Sequence, residues 1–284
     1  MQKTHNVMRQ EKSGTKLNMK RRTWLSNALW NTAAAHGLAL PGFSRAAQAV
    51  LRVAAASDLK FVLAQLLEQF QKETGIRVEA SYGSSGNFAR QIRQGLPVHL
   101  FLSADEAWVR ELAREGWTRE LPQGGRDSGT VYGTGRIALM APASSTLALD
   151  PELKGVHAAG ASVGKFAIAN PEHAPYGRAA REALQALRLW EWLQPRLVLG
   201  ENIAQATQFV TTGAAQAGIT ALSLALAPEV ARHGRFLALP QTLHQPLRQR
   251  VVLLRDAPAP AQQLHDYLQT PAAREVFARY GFSE

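Results

Sequence analysis

The chain has 284 residues, of which 46% are hydrophobic and 19% are charged, and it contains no cysteine. This composition excludes a disordered protein, and the lack of cysteine excludes disulfides, thiolate metal sites and cysteine nucleophiles. The formal net charge is +10, but residues 1–49 carry eight basic residues and one acidic residue. The rest of the chain therefore has a net charge near +3, which argues against a nucleic-acid partner.

The N-terminal segment has the pattern of an export signal. A basic stretch is followed by a moderately apolar segment from Trp24 to about Leu40, and a small-x-small cleavage signal ends at Ala49. The basic residues include Lys20-Arg21-Arg22-Thr23-Trp24-Leu25, which resembles the twin-arginine pattern. We therefore predict a signal peptide that is cleaved near Ala49 and a periplasmic mature protein, with Met1 or Met19 as the translation start.

After the export signal, short apolar runs typical of β-strands alternate with helical patterns. This alternation predicts an α/β protein with mainly parallel strands. Strands are predicted at residues 51–55, 76–82, 98–103, 136–141, 165–169, 217–222 and 250–254. One helix is predicted from residue 59 to a stop at Gly75, and a second, short helix ends at about Gln94. Further helices are predicted over residues 179–187, 204–212, 261–268 and 271–280.

Two segments are candidates for crossings between lobes. Residues around Asp127 to Gly135 are rich in glycine, serine and threonine, and the return crossing is predicted near residues 234–242. We therefore predict three parts, which are the signal peptide over residues 1–49, lobe 1 over residues 50–134 and 238–284, and lobe 2 over residues 135–237.

Small polar turns stand between several predicted strands and helices. They are Ala56-Ser57-Asp58, Gly83-Ser84-Ser85-Gly86-Asn87, Pro175-Tyr176-Gly177 and Glu201-Asn202-Ile203. The first N–H groups of a helix have no partner within the helix, and the helix dipole favours negative charge there. Taken singly, each turn is also explained by an ordinary helix cap. If the four turns converge, they predict a site for an oxyanion that is held by neutral donors.

Five strings in order resemble the periplasmic molybdate-binding proteins of ABC importers, over about residues 51–283. They are Val53-Ala54-Ala55-Ala56-Ser57-Asp58-Leu59, Tyr82-Gly83-Ser84-Ser85-Gly86-Asn87, Leu102-Ser103-Ala104-Asp105, Asn170-Pro171-Glu172-His173-Ala174-Pro175-Tyr176-Gly177 and Phe277-Ala278-Arg279-Tyr280-Gly281-Phe282. The resemblance implies a two-lobed type II periplasmic binding protein fold. In that fold each lobe has a mixed, mainly parallel sheet flanked by helices, and the ligand lies in the cleft.

The resemblance also implies a function and a set of ligand-binding residues. Ser57 and Ser85 match serines that donate both hydroxyl and amide, while Tyr176 and Ile203 match positions whose backbone N–H contacts the anion. The implied protein is not an enzyme and has no cofactor or directly coordinated metal. It is a monomer that captures molybdate and tungstate and delivers them to the membrane subunits of an ABC importer, with no nucleic-acid partner.

The sequence departs from this family at the position of a tyrosine that contacts the ligand in some members. The corresponding residue here is Ala221, and we hypothesise that the hydroxyl of Tyr176 or Ser223 replaces the lost contact. Asp58, which follows the first serine, is predicted to be a helix cap, because a carboxylate directed at a dianion would repel it.

Other functions are open at this stage. The ligand of a binding protein with these turns is alternatively sulfate, phosphate or thiosulfate. An exported enzyme would use Ser57 or Ser85 as nucleophile with His173 or His99 as base, although the chain has none of the usual nucleophile, phosphate-loop or dinucleotide motifs. A regulator would need a DNA-binding helix-turn-helix, and the N-terminal segment resembles an export signal instead.

Overall fold

The computed structural model describes residues 50–283, and the predicted signal peptide lies outside them. The described residues form ten strands: β1 (Leu51–Ala56), β2 (Val78–Gly83), β3 (Leu100–Ser103), β4 (Thr130–Gly135), β5 (Ile137–Pro142), β6 (Phe166–Ala169), β7 (Leu197–Gly200), β8 (Ala217–Ala221), β9 (Gly234–Ala238) and β10 (Leu247–Leu253).

Eleven α-helices accompany these strands within the same residues, and none is long and apolar enough to cross a membrane. The helices are α1 (Lys60–Thr74), α2 (Ser85–Arg93), α3 (Glu106–Arg114), α4 (Lys154–Ala158), α5 (Pro175–Ala186), α6 (Trp190–Leu193), α7 (Ile203–Thr211), α8 (Leu222–Leu226), α9 (Pro228–Ala231), α10 (Ala259–Tyr267) and α11 (Pro271–Arg279).

The strands form two five-stranded sheets with the same plan, in the orders β2-β1-β3-β10-β4 and β7-β6-β8-β5-β9. In the first sheet, β1 is parallel to β2 and β3, and β10 is antiparallel to β3 and β4. In the second sheet, β6 is parallel to β7 and β8, and β5 is antiparallel to β8 and β9. In each sheet one strand is therefore antiparallel to the other four. The predicted architecture with mainly parallel sheets is confirmed.

We call the first sheet with α1–α3, α10 and α11 lobe 1, and the second sheet with α4–α9 lobe 2. The chain passes from lobe 1 to lobe 2 at Arg136, between β4 and β5, and returns between β9 and β10. Within residues 50–283, only these two connections join the sheets along the chain, so a relative motion of the lobes would concentrate there.

Helix α1 shows how the sequence pattern produces this structure. Its apolar residues lie on one buried face and pack in the core of lobe 1. The helix ends at Gly75, which has φ 74° and donates its N–H to the carbonyl of Gln71 at 2.9 Å. A left-handed residue at this position is usually glycine because glycine has no Cβ to clash. The predicted helix and its end are confirmed.

Several elements were not predicted, among them the short helices α4, α6, α8 and α9, and strand β9 lies in the segment predicted as the return crossing. The segment predicted as the first hinge contains strand β4, in which Tyr132 is buried and stacks on Phe277 at a centroid distance of 5.1 Å. Its small residues resemble a loop in sequence, but the antiparallel ladder with β10 holds them in a strand. Helix α3 and strand β7 were also missed, and β7 is short and partly exposed, which leaves a weak apolar pattern.

Candidate binding site

The candidate site lies at the carboxyl ends of the parallel strands. In lobe 1, strand β1 leads into a single 3₁₀ turn, Ser57–Leu59, and β2 leads through Ser84 into helix α2. In lobe 2, β6 and β7 lead into helices α5 and α7. Ligands of open α/β sheets bind outside this edge, because the helix N-termini collect there.

Ser57 is the first residue after strand β1 and is buried. Its Oγ accepts a hydrogen bond from the backbone N–H of Ala204 in lobe 2, at 3.2 Å. The side chain does not cap the helix that follows, since no side-chain cap hydrogen bond is formed at this turn. Ser57 therefore links lobe 1 to the N-terminus of α7.

Ser85 is the first residue of α2 and has no exposed surface. Its Oγ accepts a hydrogen bond from the backbone N–H of Ala104, which follows β3, at 3.0 Å. The neighbouring Ser84 precedes the helix, and its carbonyl accepts from the N–H of Phe88 at 3.1 Å. Ser85 is thus fixed by two adjacent strand ends of lobe 1.

The two serines share one chemical property. A serine hydroxyl has one hydrogen to donate and two lone pairs that accept. In the described part of the chain, the Oγ atoms of Ser57 and Ser85 accept from Ala204 and Ala104, and neither hydroxyl donates to a protein acceptor. Both hydrogens are therefore available to a ligand that accepts hydrogen bonds.

The first turn of α5 leaves one backbone donor. Pro175 at the first position has no N–H, and the N–H groups of Gly177 and Arg178 both donate to the carbonyl of Ala174, at 2.9 and 3.0 Å. Within the described residues, the N–H of Tyr176 has no acceptor. It is the one unsatisfied donor at this helix N-terminus.

The first turn of α7 likewise leaves one backbone N–H without an acceptor in the described residues. Asn202 caps the helix: its Oδ1 accepts from the N–H of Gln205 and its carbonyl accepts from the N–H of Ala206, each at 3.1 Å. The N–H of Ala204 donates to Ser57. Of the first four N–H groups, only that of Ile203 has no acceptor among residues 50–283.

Contacts between the lobes bring these groups together. The Tyr176 hydroxyl of α5 donates to Asp58 Oδ2, next to Ser57, at 3.0 Å, and the N–H of Gly86, next to Ser85, donates to the carbonyl of His173 at 3.0 Å. With the contact between Ser57 and α7, these pairs join the four segments. The structure therefore places the four predicted ligand-binding residues in one interlobe region, namely Ser57, Ser85, Tyr176 and Ile203.

A cavity of about 660 Å³ opens onto this region and is lined by both lobes, with Ser57, Lys60 and Tyr82 on one side and Asn202 and Thr207 on the other. A larger cavity, of about 840 Å³, runs along α3. Of these two cavities only the smaller is lined by both lobes, and Ser57 is the one predicted ligand-binding residue among its lining residues.

Asp58 is not the helix cap that was predicted. Its carboxylate is buried, and Oδ2 accepts from the Tyr176 hydroxyl at 3.0 Å and from Gln249 Nε2 at 2.8 Å. Oδ1 has no hydrogen-bond partner in the described residues. Burial raises the pKa of Asp58 to about 6, although both hydrogen bonds lower it. The prediction failed because a cap is a local feature, whereas both donors to Asp58 come from segments far along the chain.

The hydroxyls of Tyr176 and Ser223 are both engaged with Asp58 in this structure. Ser223 Oγ donates to the carbonyl of Asp58 at 2.8 Å, and Tyr176 Oη also lies 3.1 Å from Gln249 Nε2. Ala221, at the position of the family tyrosine, is buried. Neither hydroxyl has a hydrogen left for a ligand here, which weakens the hypothesis that one of them replaces the tyrosine.

Residues 51–283 match the profile of the bacterial extracellular solute-binding proteins. The chain belongs to this family. It is 37% identical over 241 residues to the molybdate-binding protein ModA of Azotobacter vinelandii, covering 84% of this chain and 91% of the relative. It is 34% identical over 253 residues to ModA of Rhodobacter capsulatus, covering 87% and 91%.

Among solved structures, this solute-binding protein resembles the periplasmic molybdate-binding protein of Azotobacter vinelandii. The two superimpose with a TM-score of 0.73 at 30% identity, over 82% of this chain and 99% of the other. The similarity confirms the two-lobed periplasmic binding protein fold. Since its curated relatives are binding proteins, the chain is a binding protein and not an enzyme.

The geometry agrees with a solute-binding protein rather than with the enzyme alternative. Ring nitrogen Nδ1 of His173 lies 2.9 Å from Oγ of Ser84, not of Ser85, and Nδ1 of His99 accepts from the backbone N–H of Arg52 at 3.1 Å. None of the predicted pairs of nucleophile and base is therefore present among the hydrogen bonds of the described residues. Within residues 50–283 no group of three or more His, Asp or Glu side chains could hold a metal ion.

Sequence reasoning missed the interlobe contacts that surround the site. The main ones are Asp58 with Tyr176, Ser84 with His173, and Asn87 with Glu201, and the contact of Asp58 with Gln249 within lobe 1 was missed as well. Each pair is separated by many tens of residues in the chain, so no local spacing relates its members. The only local signal was that Asp58 stands in a short polar turn directly after a predicted strand.

Proposed function

We propose that this protein captures molybdate outside the cytoplasm for uptake by an ABC importer. The observation that carries the proposal is the set of donors without protein acceptors, at two serine hydroxyls and at the N–H groups of Tyr176 and Ile203. These groups lie on four segments that meet between the lobes. The relatives named molybdate-binding proteins support the choice of ligand.

The chemistry of these donors favours a fully ionised tetrahedral dianion. Every oxygen of such an anion accepts hydrogen bonds, so it satisfies hydroxyl and amide donors together. Helix N-termini add a favourable dipole without a fixed positive charge that would bind any anion. A protonated oxyanion would place a donor against these donors and lose a hydrogen bond there.

The size of the anion distinguishes molybdate from its competitors. Tungstate has the same shape and charge as molybdate, and we propose that it binds as well. Sulfate is the smaller dianion, so donors placed for molybdate on two lobes would not all reach it. Phosphate carries a proton at neutral pH, so its O–H group would face a protein donor and one hydrogen bond would be lost.

Export and delivery form the second part of the proposal. We propose that residues 1–49 are a signal peptide removed near Ala49, that the mature protein is a periplasmic monomer, and that it delivers the anion to the membrane subunits of an ABC importer. The proposed lobes are those predicted from the sequence, with boundaries near residues 134 and 238. Mass spectrometry of the exported protein tests the cleavage, since a mature chain that begins at Val50 is expected.

The function is tested by titration calorimetry of the purified protein with four anions in turn. We expect molybdate and tungstate to bind with submicromolar Kd, which corresponds to more than about 8 kcal/mol. Sulfate and phosphate should bind at least about 100-fold more weakly, since each leaves donors unsatisfied. Tight binding of sulfate or phosphate, or heat from none of the four anions, would refute the proposal.

A further inference from the structure

A second set of contacts joins the lobes beside the proposed anion site. Oγ of Ser84 lies 2.9 Å from His173 Nδ1, and the side-chain amide of Asn87 donates to Glu201 Oε1. His173 Nε2 lies 3.6 Å from the other carboxylate oxygen of Glu201. Ser84 and Asn87 belong to lobe 1, and His173 and Glu201 belong to lobe 2. We call these four residues the latch.

The backbone beside the latch is built for close approach. The N–H of Gly86 donates to the carbonyl of His173 at 3.0 Å. A Cβ atom at Gly86 would lie 2.6 Å from that carbonyl oxygen, well inside van der Waals contact. Glycine therefore allows the loop before α5 to meet the N-terminus of α2 directly.

The latch runs from the interior to the surface. Ser84 is buried, the side chain of His173 is 14% exposed, and that of Glu201 is 61% exposed. None of the four side chains is among the donors assigned to the anion. Ser84 lies next to Ser85, and His173 lies three residues before Tyr176, so the latch lies directly beside the site, and Glu201 also lines the cavity that Ser57 lines.

We propose that the latch holds the two lobes together over the bound anion and thereby sets the rate at which the anion is released. This inference rests on the proposed function. The latch contacts exist only while the lobes are together, so they must break before the anion leaves. Entry into separated lobes does not require them. Weakening the latch should therefore raise the dissociation rate and leave the association rate nearly unchanged.

The test measures release of radiolabelled molybdate from the purified protein after a chase with excess unlabelled molybdate. Calorimetry gives Kd for the same samples, and the ratio of the release rate to Kd gives the association rate. The variants are His173→Ala, which removes two side-chain contacts but leaves the carbonyl that pairs with Gly86, and Glu201→Gln. The matched control is Glu172→Gln, since in the described part of the chain the Glu172 carboxylate pairs only with Arg181 of the same lobe, at 3.3 Å.

We expect His173→Ala to release molybdate about 10-fold faster than the wild type, because it loses the hydrogen bond to buried Ser84 and the contact with Glu201. Glu201→Gln should act in the same direction by about 2- to 5-fold, because its contacts are exposed. Association rates should stay within about 2-fold of wild type, and Glu172→Gln should release at the wild-type rate.

A double-mutant cycle separates the latch from a general loss of packing. Ser84→Ala and His173→Ala should be non-additive in release rate, because they remove one shared contact. If His173→Ala does not fold, as judged by circular dichroism, Asn87→Ala with Glu201→Gln provides the same test at the exposed pair. Wild-type release rates in these variants would overturn the latch alone. Absence of molybdate binding by the wild type would instead refute the proposed function, and the latch with it.

Discussion

The hydroxyl of Tyr176, in lobe 2, donates a hydrogen bond to the buried carboxylate of Asp58, in lobe 1, at 3.0 Å. Gln249 donates to the same carboxylate oxygen at 2.8 Å, and its own Oε1 accepts from the hydroxyl of Tyr132 at 2.6 Å. This chain of four side chains connects the two lobes at Asp58, the residue that follows Ser57. Its neutral donors leave Asp58 without a cation to balance its charge when it ionises.

Replacement of Asp58 should change how stability depends on pH. Burial raises the pKa of Asp58 from 3.8 to about 6, so the folded protein holds this proton more tightly than the unfolded chain. The corresponding stabilisation is fully present below pH 3.8 and is lost as the pH rises to about 6. A shift of this size corresponds to about 3 kcal/mol.

The wild type should lose this stabilisation between pH 4 and pH 8, whereas Asp58→Asn should not. Over that range we expect the free energy of unfolding of Asp58→Asn to rise by about 1–3 kcal/mol relative to that of the wild type. Urea unfolding at the two pH values measures this difference. Asp256→Asn is the control, because the side chain of Asp256 is 88% exposed. The account of Asp58 is wrong if the free energy of unfolding of Asp58→Asn has the same pH dependence as that of the wild type.

Gly135 should not tolerate even a methyl group. A Cβ atom there would lie 2.2 Å from Tyr176 Oη and 2.6 Å from Gln249 Nε2. Both atoms belong to the interlobe network, so we expect Gly135→Ala to lower the free energy of unfolding by about 1–3 kcal/mol. In Gly164→Ala the nearest atom would be Gln216 Oε1 at 3.7 Å, and no loss is expected. Equal stability of the two variants in urea unfolding would contradict this packing.

Removal of the Tyr176 hydroxyl should lower the stability of the protein without changing its affinity for molybdate. Tyr176→Phe leaves Asp58 and Gln249 each without one partner, so we expect a loss of about 1–3 kcal/mol in stability. If the backbone N–H of Tyr176 contacts the anion, the molybdate Kd should stay within about 3-fold of wild type. Calorimetry decides this point, and a Kd weakened tenfold or more would show that the hydroxyl itself takes part in binding. Tyr280→Phe is the control for stability.

Much of the fold could be predicted because its causes are local. The apolar face of α1, the stop at Gly75 and the small polar residues that follow β1 and β2 are all visible in the chain. The parallel arrangement places the strand ends at one edge, and the resemblance to the molybdate-binding proteins then singled out Ser57 and Ser85 as predicted ligand-binding residues.

The rest depends on partners that are distant in sequence. Asp58 pairs with residues 118 and 191 positions away, and Ser84 pairs with a histidine 89 positions away. A single sequence does not indicate such pairs, so Asp58 was interpreted from its local position as a cap. Strand β4 was missed for the same reason, since the ladder with β10 outweighs its small, polar residues.

The most direct test of the central claim is the molybdate affinity of serine variants. In calorimetry we expect Ser57→Ala and Ser85→Ala each to weaken binding about 10- to 100-fold, because each removes a donor to a charged ligand. Ser103→Ala is the matched control, since Ser103 is buried but donates its hydrogen to the carbonyl of Asp105 at 2.7 Å. It should bind as the wild type does. Unchanged affinity in both Ser57→Ala and Ser85→Ala would contradict the account.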